Sequence, residues 1–436
     1  MKLPDHIALC IRRLEDAGFA AYVVGGCVRD SVLGLTPHDY DLCTAATPEQ
    51  LRALFADHPL VLSGEKHGTV SVVMEHQLVE ITTFRTEGGY LDNRHPDWVR
   101  FETNIEADLS RRDFTVNAMA YSPTRGFADP FGGREDLKHH TLRCVGDPEA
   151  RFTEDALRIL RGLRFSVRFG LAVEENTLDA MFRLAPLMDH LARERVMDEL
   201  SKLLPHLRAE DLLTFAPILT QIIPELSPCI GFSQHSPHHI YDVYTHIAHT
   251  VEAVPPDPAL RFAALLHDIC KPACFSLDEQ GHGHFYGHEE QSAETANAVL
   301  LRLKASGELR HRVTEMIRHH MIPLTADKRL LRRRLNQWGP QGLRDQLALQ
   351  MADRTATGTG DTCQLRQAAA ITEELLAENA CFRLKDLAIN GHDLMALGYS
   401  GKAIGACLSD LLEQVLDDRL PNDRTALLEQ AKKYHL

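Results

Sequence analysis

The chain has 436 residues, a formal net charge of −14 and 44% apolar residues, too long for one typical core and rich enough in apolar side chains for two to four globular domains. No window of 18 uncharged apolar residues occurs, and the opening MKLPDHIALCIRRLEDAGF reads as a charged amphipathic helix, so neither membrane insertion nor export is expected. Ten cysteines without a C-x-x-C pair, the closest being Cys270 and Cys274, point to reduced thiols and a cytoplasmic location. The acidic balance opposes a polyanion only if spread evenly, and arginine-rich runs at 158–168 and 328–334 can create local positive potential.

In chain order, AAYVV (20–24), TVSVVM (69–74) and LVEITTF (78–84) are short, β-branched and bounded by Gly or charged residues, which predicts strands with helices between them. The mixed character fades near residue 140. From about 153 the runs are of helical length, such as EDALRILRGLRFSVRF and ALRFAALLHDIC. Proline clusters at 224–237 and 255–258 and small polar residues near 356–362 punctuate this remainder. The expected division is 1–140, 141–230, 231–360 and 361–436, an α+β chain whose mixed α/β head precedes a helical neck, body and tail.

The stretch VVGGCVRDSVLGLTPHDYDL carries the first chemistry. On a strand, Asp39 and Asp41 point to one face, roughly 7 Å apart along the backbone. Hard oxygen ligands on an open face suit Mg²⁺, which takes its remaining ligands from water and substrate phosphates; a turn cap after Pro37 is the plainer use of the same pair. Gly25 and Gly26 let main-chain N–H groups approach phosphate, and Arg29 offers a planar donor fork to the same anion. Glu80 is a candidate third acid, with Glu75 as its rival. In LSRRDFTVNAMAY, Arg111 and Arg112 can hold a triphosphate, while Asp113 either accepts from a ribose hydroxyl or caps a helix. In RFTEDALRILRGLRF, Thr153 is the expected N-cap, with Asp155, Arg158, Arg161 and Arg164 along one side of the helix. Asp155 and Arg158 either pair as a weak surface salt bridge or present an acceptor and a donor fork to a base edge.

In this order and spacing, GGCVRD, DYDL, RRDF and EDALRILR resemble the motif series of the bacterial (class II) CCA-adding tRNA nucleotidyltransferases and the related bacterial poly(A) polymerases. The likeness runs through roughly the first 230 residues, and DLAINGHDLMALGYSGKAIGACLSDLLEQVL resembles the tail of the CCA-adding type. The resemblance implies a polymerase-β-like head and template-independent addition of CCA to tRNA from CTP and ATP. It implies that Asp39 and Asp41 hold Mg²⁺, and that Gly26, Arg29 and Arg112 contact nucleotide phosphates and sugar. Asp155 and Arg158 would then pair with the incoming base, with Arg161 and Arg164 close by. FRTEGGYLDNRHPDWVRF resembles the flexible element that supports the final A, which favours complete CCA addition.

Twelve of the 24 histidines fall between His235 and His320. Within this region His246, His267-Asp268, His288, His319 or His320, and Asp353 form an H…HD…H…H…D series. Imidazole with carboxylate suits Mn²⁺, Fe, Ni²⁺ or Zn²⁺, and the number of ligands allows two ions bridged by Asp268. Caps and surface groups are the plainer use of any single one. The series resembles the HD superfamily of metal-dependent phosphohydrolases, with Cys270 where glycine is frequent, and implies hydrolysis of phosphomonoesters or cyclic phosphodiesters. The ligand set expected from this series is His246, His267, Asp268, His288, His319 and Asp353. Two other readings compete: a poly(A) polymerase, opposed by the lack of a long basic C-terminal extension, and an HD hydrolase with a vestigial head, opposed by the intact aspartate pair. The Arg332–Arg334 run is expected at tRNA phosphates, or on a solvated helix face.

Overall fold

The computed structural model describes residues 1–435 apart from 66–67, 89–97, 237–239 and 359. The chain forms two compact units: Met1–His206 with Phe215–Pro224, and Leu207–Thr214 with Glu225–Leu436. The first is built on a mixed sheet and the second is largely helical, in the order expected from the sequence.

The sheet of the first unit comprises β1 (Ala21–Val24), β2 (Asp41–Thr44), β3 (Leu60–Val61), β4 (Thr69–Met74), β5 (Gln77–Thr83), β6 (Ala120–Ser122) and β7 (Gly126–Ala128). Its order is β3-β4-β5-β2-β1-β6-β7. Only β2 and β5 run parallel; the other neighbours are antiparallel. The β1–β2 register sets Val24 opposite Asp41, so the end of one central strand and the start of the other meet at one sheet margin. Gly25 follows there with φ +72°, a left-handed conformation natural to glycine, and leads into helix α1 (Gly26–Val32). Buried Tyr22, Val24, Cys43, Phe84 and Leu109 pack beneath this margin. The ribbon Arg85–Gly88 with Trp98–Phe101 flanks residues 89–97, so the centre of the expected flexible element lies outside the described residues.

Three further helices of this unit bear on function: α2 (Pro148–Glu154), α3 (Leu157–Phe169) and α4 (Arg193–Leu203). The expected single helix starting at Thr153 is broken. Asp147 caps α2 by accepting from the Glu149 N–H, the chain turns extended at Asp155 (φ −149°, ψ 102°), and α3 begins two residues later. Thr153 lies inside α2 and caps nothing. The acidic and basic residues around the break supported one amphipathic run, whereas Asp155 leaves the helix and turns its carboxylate back to the Leu157 N–H at 3.1 Å.

In the second unit, α5 (Val243–Ala253), α6 (Pro258–Leu266), α7 (His288–Arg302) and α8 (Gly307–His319) are followed by α9 (Lys328–Ala356). Asp242, Asp257, Ser306 and Asp327 cap four of them through side-chain oxygens. Gly339 (φ +71°) and Pro340 interrupt α9. The helices Cys363–Ala377, Lys402–Leu416 and Arg424–His435 close a second core around Leu331, Leu347, Leu411 and Leu427. Among the described residues no helix is long and apolar enough to cross a membrane, and all ten cysteines are free thiols.

Gly162 lies on the buried face of α3, where an added Cβ would stand 2.8 Å from the Phe114 ring and 3.4 Å from Met181 Sδ. Gly162→Ala gains helix propensity but overpacks this contact. It should destabilise the protein by about 1–3 kcal/mol in urea denaturation, whereas relief of glycine entropy alone would stabilise it.

Candidate active site and metal centre

Asp39 and Asp41 both line a cavity of about 780 Å³ in the first unit, together with Gly25, Arg112, Asp155 and Arg158. Asp39 precedes β2 instead of lying on it, so the pair converges through the turn into the strand, not through strand alternation. Partial desolvation in the cleft raises the Asp41 carboxyl above its ordinary range; Arg112 opposes this and the like charge of Asp39 adds to it. Neither carboxylate accepts a side-chain hydrogen bond among the described residues, which leaves oxygen ligands available to a hard cation. Glu80 is exposed on β5, one position before the Ile81 that pairs with Leu42, and does not line the cavity. Glu75 sits at φ +49° in the two-residue turn between β4 and β5.

Behind these acids runs a relay of buried polar groups. Arg29 donates from Nη1 to Asn117 Oδ1 at 2.6 Å, and from Nε and Nη2 to Asp30 Oδ1 at 2.9 and 2.7 Å. Its guanidinium also lies over the Phe169 ring at 4.2 Å. The fork read as a phosphate ligand is therefore largely engaged by protein. Asn117 Nδ2 donates to Asp113 Oδ1 at 3.1 Å, and Arg161 donates through Nε and Nη2 to Asp113 Oδ2 at 2.9 and 2.7 Å. Asp113 thus neither caps a helix nor offers an unengaged oxygen to a ribose; it anchors Arg161. Arg164 in turn donates to Glu199 on α4 at 2.5 and 3.3 Å. Arg112 bonds Asp108 at 3.2 Å, its Nε is buried without a partner, and a Cβ at Gly25 would stand 3.0 Å from its Nη1. The positive φ favours glycine there, and a side chain would also press on the Arg112 guanidinium.

The Asp155 carboxylate is held by Arg195 of α4, which donates from Nη1 to Oδ1 at 3.2 Å and from Nη2 to Oδ2 at 2.7 Å. Arg158 donates to Glu154 at 2.8 Å and to the Arg111 carbonyl at 3.0 Å. Asp155 and Arg158 share the cavity but do not pair with each other. Asn117, Glu199 and Arg195 escaped the sequence reading. Asn117 falls four residues after Asp113, and in ARERVMDEL the spacing of Arg195 and Glu199 reads as an ordinary charged helix face.

In the second unit, His246 (α5), His267 and Asp268 (end of α6), His288 (α7), His320 (end of α8) and Asp353 (α9) converge. All but Asp353 are almost wholly buried. Two triads share Asp268: His246–His267–Asp268 and Asp268–His288–His320. His320 is the member; the expected His319 stacks on Trp338 instead, with centroids 5.2 Å apart. One residue of helix rotates a side chain by about 100°, so only one of two adjacent histidines can face the centre. The Nδ1 atoms of His267, His288 and His320 lie 2.8, 2.7 and 2.6 Å from the carbonyls of Ala264, Phe285 and Ile317. A carbonyl only accepts, so each Nδ1 carries a proton and each Nε2 is the ring atom directed inward, with a lone pair whenever the ring is neutral. His288 and His320 then face each other at 3.3 Å through Nε2, an arrangement that needs a proton or cation between them. His267 Nε2 and both Asp268 oxygens are buried without a hydrogen bond of ordinary geometry, although Lys271 Nζ stands 2.6 Å from Asp268 Oδ2. Burial holds the His320 imidazole down to about 4; the same burial acts on His267, but Asp268 and Asp353 outweigh it and raise that ring to about 10. Four imidazoles and two carboxylates, with orphaned donor atoms at their focus, fit divalent transition metal.

Comparison with known proteins places this architecture. Residues 21–143 match the family model described as "Poly A polymerase head domain", 170–230 "Probable RNA and SrmB- binding site of polymerase A", and 282–431 the tRNA nucleotidyltransferase domain 2. The CCA-adding enzyme of Levilactobacillus brevis is 35% identical over 435 residues, covering 98% of both chains. The chain belongs to the CCA-adding enzymes. That of Enterococcus faecalis is 32% identical, covering 97% of this chain and 94% of its own. The Bacillus stearothermophilus CCA-adding enzyme, solved in complex with CTP, superposes with a TM-score of 0.73 at 26% identity, covering 100% of this chain and 98% of the other. As a CCA-adding enzyme the chain is a nucleotidyltransferase, a family that implies a divalent metal.

In this CCA-adding enzyme the Arg332–Arg334 run is engaged within its own unit. Arg332 donates to the Val415 carbonyl at 3.1 Å and pairs with Asp418; Arg333 pairs with Asp417 at 2.6 Å and Glu413 at 2.9 Å. Arg334 lies over the Trp338 ring at 4.8 Å. The first two tie α9 to the C-terminal helices, a different use from the expected phosphate contact.

Burial acts to raise the Asp113 carboxyl, but Arg161, with help from Asn117 and the Phe114 N–H, holds it down to about 2. A folded-state pKa below the unfolded value stabilises above the unfolded value, near 4, and that stability disappears as pH falls through 2. Asp113→Asn should cost about 2 kcal/mol near pH 7, with the difference from the parent narrowing between pH 5 and 2 in denaturant titrations. A pH-independent difference would show that the charge of Asp113 is not what stabilises.

Proposed function

We propose that the chain adds CCA to tRNA 3′ ends from CTP and ATP without a nucleic-acid template, releasing pyrophosphate. One observation carries this: Asp39 and Asp41 share a single cavity with Arg112 and with the Asp155 and Arg158 side chains. Full-length similarity to CCA-adding enzymes supports that outcome over a long poly(A) product. The tRNA 3′-hydroxyl attacks the α-phosphate and the bond to pyrophosphate breaks. Asp39 and Asp41 would hold Mg²⁺, which when bound polarises the phosphoryl group and eases loss of the hydroxyl proton. Gly25 leaves room for phosphate at the sheet margin, and Arg112 offsets triphosphate charge. Asp155 accepts from, and Arg158 donates to, the base edge. Arg161 and Arg164 hold that wall in place through Asp113 and Glu199. We also propose the four-part division at residues 140, 230 and 360, with the base-reading helix in the second part.

We further propose that the His/Asp centre is a metal-dependent phosphohydrolase site. In its support, the centre opens to a cavity of about 410 Å³ lined by Asp268, His288, His320, Asp353 and Lys271. The residues would hold Mn²⁺, Ni²⁺, Fe or Zn²⁺; such ions would supply Lewis-acid activation of water and of a phosphate ester. Lys271, held by Asp268 and by Gln234 Oε1 at 3.0 Å, places a cation beside the ester.

Incubation with tRNA lacking its terminal trinucleotide, CTP, ATP and Mg²⁺ should yield three added residues. Asp41→Ala should abolish addition and spare phosphatase activity, and His267→Ala should do the reverse; loss of both from either change in a folded protein refutes two separate centres. Bound metal measured by mass spectrometry should fall in His320→Ala and persist in His319→Ala.

A further inference from the structure

The lone pairs of Asp155 are nearly used up by the protein itself. A carboxylate offers about four acceptor positions. The Leu157 N–H at 3.1 Å and Arg195 Nη1 at 3.2 Å take both positions on Oδ1, and Arg195 Nη2 at 2.7 Å takes one on Oδ2. One acceptor position remains, in a plane fixed by the bidentate guanidinium. Cytosine and adenine each present an exocyclic amino donor on the pairing edge, while uracil and guanine present a carbonyl oxygen at the equivalent place. A single remaining acceptor therefore suits both CTP and ATP and repels UTP and GTP.

We propose that Arg195 is a positioning residue for nucleotide selection: by clamping Asp155 it leaves one oriented acceptor for a base amino group. This rests on the reading that Asp155 contacts the base. Arg195 lines the same cavity and comes from α4, the helix that also supplies Glu199 to Arg164, so this helix holds the base-reading wall at two points. Without the clamp the carboxylate turns about its bond to Cβ and the acceptor loses its direction, while Oδ1 can still accept from Leu157 N–H. Lysine keeps the charge but, as a point donor, cannot fix the plane.

The test uses the full chain with tRNA lacking CCA and, separately, tRNA ending in CC. It compares kcat/KM for CTP against UTP on the first and ATP against GTP on the second, with melting curves of every variant. Arg195→Ala and Arg195→Lys should each lower both selectivity ratios about tenfold or more, chiefly by admitting UTP and GTP, with Arg195→Lys retaining the parental melting temperature. Parental ratios in folded Arg195→Lys, with selectivity lost in Asp155→Ala, would overturn the role of Arg195 and leave Asp155 as the base reader. Parental ratios in Asp155→Ala as well would overturn the base-reading assignment, and this inference with it. Should Arg195→Ala not fold, the lysine variant alone decides.

Discussion

The ion pair between Asp113 and Arg161 is the constraint on which the first unit's chemistry depends. It joins the loop after RRDF to the middle of α3, and through Asn117 it reaches Arg29 in the helix that follows the strand-end glycines. Through α3 and α4 the same chain of contacts passes to Arg164 and Glu199. Elements distant in sequence are thereby held in register by groups that are desolvated and mutually satisfied. Removal of one member leaves its partner buried and uncompensated, so a single defect costs more than the pair contributes relative to an apolar replacement. The relay thus links the helix after the strand-end glycines with the middle of α3 and with α4.

The His/Asp centre follows a different logic. Three imidazoles are tied at Nδ1 to carbonyls at or near helix ends, which directs Nε2 inward before any ion arrives. Without a cation the centre has to place protons among four imidazoles and two carboxylates, and the opposite displacements of His267 and His320 express that conflict. A divalent ion held there would resolve it by supplying positive charge at the focus of the lone pairs.

Much of this was legible in the sequence because spacing reports geometry when the element type is right. TVSVVM gave a strand with the expected limits, and the HD series named five of the six converging residues. The errors came from details that spacing does not encode. Asp39 and Asp41 lie either side of a strand start, so alternation was the wrong reason for their convergence. EDALRILR looks continuous, yet Asp155 leaves the helix because its side chain competes for the following backbone N–H. His319 and His320 are equivalent as letters, and only the phase of α8 chooses between them. Arg195 and Glu199 were unreadable because their partners are 40 and 35 residues away in the chain, and Asn117 because its contact with Arg29 spans 88.

The net charge of −14 acquires a physical meaning from the same contacts. In the cavity lined by Asp39 and Asp41, Arg29, Arg112, Arg158, Arg161, Arg164 and Arg195 are matched with Asp30, Asp108, Glu154, Asp113, Glu199 and Asp155. Acids that seem to oppose a polyanionic substrate are thus part of what holds the arginines still. A bare cluster of cations would attract any triphosphate and reorganise around it; paired guanidinium groups keep fixed dipoles and few unused hydrogen-bond positions. Such preorganisation favours discrimination over raw affinity, because a base that cannot supply the missing partner leaves a buried group unsatisfied. The proposed selection of a nucleotide without a template would require that property, since the protein alone would stand in for a complementary base.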